Sequence, residues 1–240
     1  MRLFQTFLTV TLFLCLSTGA VADSGEEVPV YKEYRGAQKT RLPHPVPGGM
    51  TLEQAVQTRR SVRAFADRPL NLAQVARLLV SAYGITQRRG DIDHRGVASA
   101  GALYPLELYL VAANVDSLGR GLYHFQASDS SLELIQAGDF GERVYRATNA
   151  QDALESPPAT IVITARFERT TARYADRGYQ YVYMEVGSVC QSIYLQATAL
   201  GLGTCAVGAF DDDAANRLLE LDGRHEAVLL IMPVGYPTGK

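Results

Sequence analysis

Apolar positions in this chain recur with two periods, and the changes between them mark out the elements. Thr51 followed by Gln54 forms a capping-box start, and Leu52 and Val56 share one face of the helix it opens. Asn71 with Gln74 opens a second helix in the same way, with Leu72, Val75, Leu78 and Leu79 as its buried stripe. Residues 106–113 predict a strand. Residues 122–126 and 132–136 alternate across a short polar loop and predict a hairpin. Residues 160–165 are a continuous, largely β-branched run, the signature of a central strand covered on both faces. A long helical pattern follows: Val186, Val189, Cys190, Ile193, Tyr194, Ala197 and Leu200. Its apolar face is wide enough to predict burial nearly all round. The glycines at 201 and 203 end it, and residues 227–234 predict the last strand. No internal repeat is visible, and the mixture predicts one α+β domain over residues 51–240.

The chain before Thr51 follows other rules. Pro29, Pro43, Pro45 and Pro47 forbid a regular helix in residues 23–50, which read as an extended arm or linker. Residues 1–22 carry Arg2, an apolar run from Leu8 to Leu16 and a small-residue ending at Ala22. That is the layout of a secretory signal peptide cut after Ala22, and it predicts an exported, periplasmic or secreted protein. The apolar run is shorter than the ~20 residues of a spanning helix, so no membrane association is expected once the signal is removed. Cys15 leaves with the signal; an oxidising compartment would permit a Cys190–Cys205 bridge, but the two are expected as free, buried thiols.

With 47% apolar and 20% charged residues, the composition is that of an ordinary globular protein with a sizeable core. The formal charge of −2 gives no reason to expect nucleic acid as a partner. His44, His94, His124 and His225 show no metal-ligand spacing, so no metal site is expected, and His94 reads as a surface loop residue.

Three segments could carry chemistry. Arg59, Arg60, Ser61 and Arg63 place three planar, permanently charged donors and a hydroxyl within five residues, which suits a phosphate dianion. The same arginines could simply be a solvated helix C-terminus complementing its dipole. Ser99, Ala100 and Gly101 are small enough for backbone to approach a flat ligand, or to form a tight loop. The glycines of residues 201–208 follow a helix and enter a strand, the reverse of a dinucleotide-binding fingerprint.

In order along the chain, the segments RRSVRAF, SAGALYPLELYLV, GLYHF, RYADRGYQY, ATALGLGTCAVGAF and VGYP resemble the nitroreductase superfamily, in particular its SagB-type (thiazole/oxazole dehydrogenase-like) branch. The resemblance runs from about Thr51 to Pro237. It implies a four- or five-stranded, mostly antiparallel sheet flanked by helices, in an intertwined homodimer with FMN at the subunit interface. By position, Arg59, Ser61 and Arg63 would hold the FMN phosphate, ribityl chain and pyrimidine edge. Ser99, Ala100 and Gly101 would approach the flavin from the partner subunit, and Gly208 and Ala209 would place backbone N–H groups near flavin N5. Lys240 stands where the family often puts a basic phosphate contact. The implied chemistry is ping-pong transfer through N5, with NAD(P)H as a reductant and a small-molecule substrate as acceptor. Azoline-oxidising members carry a Lys-Tyr pair; here it is Arg173-Tyr174, in which Arg173 can stabilise charge and Tyr174 can donate a proton. Ser188 and Ser192 stand where relatives more often have His and Asn. Two alternatives to a nitroreductase-type enzyme are a non-catalytic flavin-binding scaffold and a dehydrogenase of peptide-derived azoline rings.

Overall fold

A computed structural model describes residues 28–90 and 92–238, so the expected signal segment and Lys240 lie outside the described residues. In chain order the strands and helices are β1 (Lys39–Arg41), α1 (Leu52–Thr58), β2 (Leu70–Asn71), α2 (Leu72–Tyr83), β3 (Ile85–Arg89), β4 (Ile92–Arg95) and β5 (Leu106–Ala112). They continue with β6 (Val115–Asp116), β7 (Gly121–Gln126), β8 (Ser131–Ala137), α3 (Gly141–Ala147), β9 (Ala159–Arg166) and α4 (Glu168–Tyr174). The last are α5 (Arg177–Ala199), β10 (Gly203–Thr204), α6 (Asp212–Leu218) and β11 (Glu226–Gly235).

Seven strands form one sheet in the order β1-β8-β7-β5-β9-β11-β10, with every pairing antiparallel. The fold is α+β, as the mixed periodicity predicts. The sheet is wider than the four or five strands implied by resemblance, because the short edge strands β1 and β10 extend it.

Strand alternation decides what each face touches. Leu106, Leu108 and Leu110 of β5 and Ile161 and Ile163 of β9 face α2 and α5, packing with Leu78, Leu79, Val189 and Ile193. Tyr109, Val111 and Val162 face the other way, toward Val144 of α3 and Ala215 and Leu218 of α6. Burying a side chain such as Leu108 or Ile163 on both sides stabilises the fold by roughly 1.5–3 kcal/mol each.

Both capping boxes form as expected: Thr51 and Asn71 each accept from, and are backed by, the residue three positions on. Leu52 and Val56 share a face of α1 as read, and that face is open; the burial nearly all round expected of the long helix is overturned. On α1 only Ala55 is buried, while Leu52 and Val56 stand 65% and 55% exposed. Helix α5 starts nine residues before Val186, and its predicted stripe from Val186 to Ala197 is largely buried, but it is not covered all round. Tyr183 and Met184 are 57% and 61% exposed, and Gly187, Ser188 and Gln191 are exposed on the same side. The sheet and the neighbouring helices cover the other side of α5, so among the described residues this face stays largely open. His94 also differs from expectation: it is half-buried in β4, not in a loop.

The hairpin β7–β8 forms as read, yet β7 is buried at every position despite its polar residues. The cause is the segment before β1. Gln126 donates to the Lys32 carbonyl, Lys32 Nζ reaches Tyr109 Oη and Glu226, and Tyr34 packs on His124. The extended arm thus covers a charged patch on the sheet. Both thiols are free, with Cys205 buried and Cys190 half-buried, and burial pushes both pKa values up, which makes them poor nucleophiles. No described helix is long and apolar enough to cross a membrane.

Candidate active site

Helix α5 carries two polar clusters along its length. Near its C-terminal end, Tyr194 Oη accepts the Ala206 N–H at 2.8 Å and lies 3.0 Å from Ser61 Oγ. The Arg59 guanidinium lies over the Tyr194 ring, 5.0 Å from its centroid. Val62 N–H donates to the Thr204 carbonyl, which draws the arginine-rich segment alongside β10. The close approach requires Gly203: a Cβ there would sit 2.6 Å from Val62 Cβ. Arg59 is half-buried, whereas Arg60, Ser61 and Arg63 are exposed. Among the described residues no carboxylate pairs with Arg59, Arg60 or Arg63, although eleven ion pairs form elsewhere.

The backbone after β10 is open beside this cluster. Ala206, Gly208 and Ala209 are exposed, and a Cβ on Gly208 would meet nothing within 4 Å. Val207 N–H is bonded to Ile231, but among the described residues the N–H groups of Gly208 and Ala209 have no protein partner. Three uncompensated guanidiniums beside free backbone donors are a fitting donor set for a phosphorylated, planar ligand such as FMN.

The second cluster lies about nine residues earlier on α5, roughly 14 Å along the axis. Ser99, Ala100 and Gly101 lead into a short turn in which Gly101, Ala102 and Tyr104 have φ of 63°, 54° and 47°. Left-handed backbone at a bulky residue such as Tyr104 costs about 1–3 kcal/mol and persists only when its surroundings dictate it. Here its N–H donates to Ser99 Oγ (2.9 Å), its carbonyl accepts from Arg169 (3.1 Å) and its hydroxyl accepts the Arg95 N–H (3.1 Å). Gly101 lies against Arg173 and Tyr174, since a Cβ there would come within 2.9 Å of Tyr174 Oη and 3.0 Å of Arg173 Nη1. The Arg173 charge lies 5.5 Å from the Tyr174 ring centroid.

The residues singled out from sequence therefore gather into two groups. Arg59, Ser61, Gly208 and Ala209 belong to one; Ser99, Ala100, Gly101, Arg173 and Tyr174 belong to the other. Sequence reading missed the side chains that tie each group to α5: Tyr194 for the first, and Tyr83, Arg95 and Glu185 for the second. Tyr194 and Glu185 were hidden in a helical pattern read only for its apolar stripe. Ser188 and Ser192 bond back to helix carbonyls of Met184 and Ser188.

A third cluster, also missed, lies under the arm on the other face of the sheet. His124 sits between Glu107 (3.0 Å) and Glu133 (2.9 Å), and Arg169 pairs with Glu107 at 2.6 Å. Burial opposes charge on Glu107, Glu133 and His124. Arg169 and His124 nevertheless hold Glu107 at about 2, and the two carboxylates raise His124 above its ordinary value. Its groups are mutually satisfied, which marks it as a structural network.

With this geometry in place, comparison with known proteins is informative. The Nitroreductase family matches residues 56–236. A Methanocaldococcus jannaschii protein whose name places it among nitroreductases is 41% identical over 184 residues, covering 77% of this chain and 90% of its own. The microcin B17-processing protein McbC of Escherichia coli is 29% identical over 178 residues, covering 71% of this chain and 64% of its own. Among solved structures, a nitroreductase-named protein from Ralstonia eutropha superposes with a TM-score of 0.73 at 23% identity, over 90% of this chain and 97% of that one. The NADPH:FMN oxidoreductase of Vibrio harveyi, complexed with NAD+, superposes with a TM-score of 0.55 at 16% identity, over 78% of this chain and 69% of that one. Identities this low speak for the fold alone.

Proposed function

The chain belongs to the nitroreductase family, and on that premise we propose that it is an FMN-dependent oxidoreductase acting on a small organic substrate. The observation that carries this reading is the uncompensated arginine cluster set beside free backbone donors at Gly208 and Ala209. The fold is one that a solved neighbour named as an FMN oxidoreductase shares.

FMN, when bound, supplies the hydride and electron transfer that no side chain here can perform. Arg59 and Arg63 hold its phosphate by charge-assisted bonds, with Arg60 adding to the local positive field. Ser61, braced by Tyr194, would meet the ribityl chain. The Gly208 and Ala209 N–H groups would meet the flavin ring. Ser99, Ala100 and Gly101 approach it from the partner subunit of a homodimer. The exposed apolar faces of α1 and α5, with Leu52, Val56, Tyr183 and Met184, supply the dimer surface. Tyr174 donates a proton to the second substrate, while Arg173 stabilises developing negative charge. A nicotinamide such as NAD(P)H serves as reductant, and residues 1–22 direct export.

A second reading, oxidation of azoline rings in a peptide, draws on the likeness to a microcin B17-processing protein. Arg173 speaks against it, because arginine cannot give up the proton that a lysine at that position could.

The deciding experiment is the visible spectrum of the purified chain, with the released chromophore identified by mass. Close to one FMN per chain is the expected result. A colourless protein that also fails to take up added FMN would overturn the enzyme reading. If flavin is present, turnover of quinones or nitroaromatics favours the first reading, and activity confined to azoline peptides favours the second.

A further inference from the structure

Glu185 lies on the buried side of α5, 3% exposed, and takes no part in the roles assigned above. Its Oε1 accepts the Tyr83 hydroxyl at 2.5 Å. The direction of that bond is set by the neighbouring backbone. Tyr83 Oη already accepts the Leu106 N–H at 3.1 Å, so its proton is free for the carboxylate. The Ser99 hydroxyl, whose oxygen accepts the Tyr104 N–H at 2.9 Å, stands close enough to pull the Glu185 carboxyl pKa down. The carboxyl thus reaches the Leu106 N–H through the Tyr83 hydroxyl and stands beside the Ser99 hydroxyl that holds the Tyr104 N–H.

Arg95 completes the enclosure. It is 8% exposed, its guanidinium stacks 4.1 Å from the Tyr83 centroid and 4.7 Å from that of Tyr104, and among the described residues its Nε has no hydrogen-bond partner. Its charge faces Glu185 without a direct ion pair. The groups around the carboxyl are therefore Tyr83 from α2, Arg95 from β4 and Ser99 from the loop. Between the two anchored amides and Ser99 lie the left-handed residues Gly101, Ala102 and Tyr104.

We propose that Glu185 is a positioning residue: through the Tyr83 hydroxyl, and from beside the Ser99 hydroxyl, it holds the strained segment 99–106 in the conformation that sets Gly101 against Arg173 and Tyr174. Its bearing on flavin rests on the function proposed above; the loop geometry does not. Burial pushes the Glu185 carboxyl above the ordinary carboxylate range, and the two hydroxyls and Arg95 offset only part of that rise. In either protonation state an oxygen remains to accept from Tyr83, so that anchor holds in both.

The test compares the full chain with Glu185→Leu, Glu185→Gln and Tyr83→Phe, and with Thr164→Val as a buried control on the opposite face. Amide exchange in flavin-free protein should show about tenfold or greater loss of protection at Tyr104 and Leu106 in Glu185→Leu, with β9 unchanged. Glu185→Gln, which keeps an oxygen for Tyr83, should restore most of that protection. Tyr83→Phe should reproduce the loss from the other end, and it carries the test if Glu185→Leu fails to fold. Flavin circular dichroism and the FMN dissociation constant should follow the same order, and Thr164→Val should move neither. Unchanged exchange at Tyr104 and Leu106 overturns the proposal, as does loss spread evenly through the chain. A local loss of protection in a protein that binds no FMN upholds the anchor and sinks the flavin reading, so the two fail separately.

Discussion

At the residue scale, charge placement makes the sharpest predictions. The pKa of His124 is raised above 6.5, because hydrogen bonds and attraction from Glu107 and Glu133 outweigh its burial. Its stabilisation is therefore complete below pH 6.5 and is lost as pH climbs through the raised folded value. The pKa of Glu107 is held at about 2 against 4.5 in the unfolded chain, so its stabilisation is complete above pH 4.5 and is lost as pH falls toward 2. Thermal melts across pH should therefore peak between these limits, and His124→Gln should flatten the alkaline side. An alkaline decline as steep in the variant as in the parent would count against this network. On the other face of the sheet, Arg59→Ala with Arg63→Ala should weaken FMN binding by about 100-fold or more, since each charge-assisted bond contributes roughly 1.5–3 kcal/mol. Melting temperature should barely move, because neither side chain pairs with a carboxylate among the described residues. A double variant that purifies fully yellow would refute the phosphate assignment.

At the element scale, the turn after Ser99 is the most constrained piece of backbone near the candidate site. Gly101→Ala would put a methyl group 2.9 Å from Tyr174 Oη at a φ of +63°. The backbone penalty alone is about 1 kcal/mol, and the crowding must also displace Tyr174 or Arg173. The expected outcome is a small drop in melting temperature with a larger drop in turnover of the second substrate. Equal turnover would show that neither side chain needs its present place. Helix ends behave more simply. Asn71→Ala removes the side-chain acceptor for the Gln74 N–H and should cost about 1 kcal/mol in a denaturant titration.

For the whole molecule, the exposed stripe of α5 and the outward face of α1 are the surfaces that packing inside one chain leaves bare. On the homodimer proposed above, Tyr183→Glu with Met184→Glu should convert a dimer to a monomer in sedimentation and lower FMN retention with it. A monomeric parent protein would remove the interface from the proposal, and with it the partner's contribution from Ser99, Ala100 and Gly101. The sheet itself should tolerate the change, because both residues lie outside the core.

Much of this was legible in the chain. The capping pairs at Thr51 and Asn71, the runs that became β5, β9 and β11, and the glycines ending α5 are local signals, set by backbone hydrogen bonding and by burial along a few residues. The arginine triplet was legible too, since charge density within five residues needs no partner to be noticed. Other features depend on residues far apart in sequence. Tyr83 meets Glu185 across 102 positions and Lys32 meets Glu226 across 194, and no periodicity announces either pair. The polar residues of β7 are buried because an arm from the start of the described chain lies over them. The side of α5 that faces outward was fixed by which face the sheet had room to cover. Local sequence therefore determined which elements form and where charge collects, because those terms are short-ranged. Tertiary structure alone decided which polar groups share a buried environment and which apolar faces remain open, because burial is a property of the packed whole.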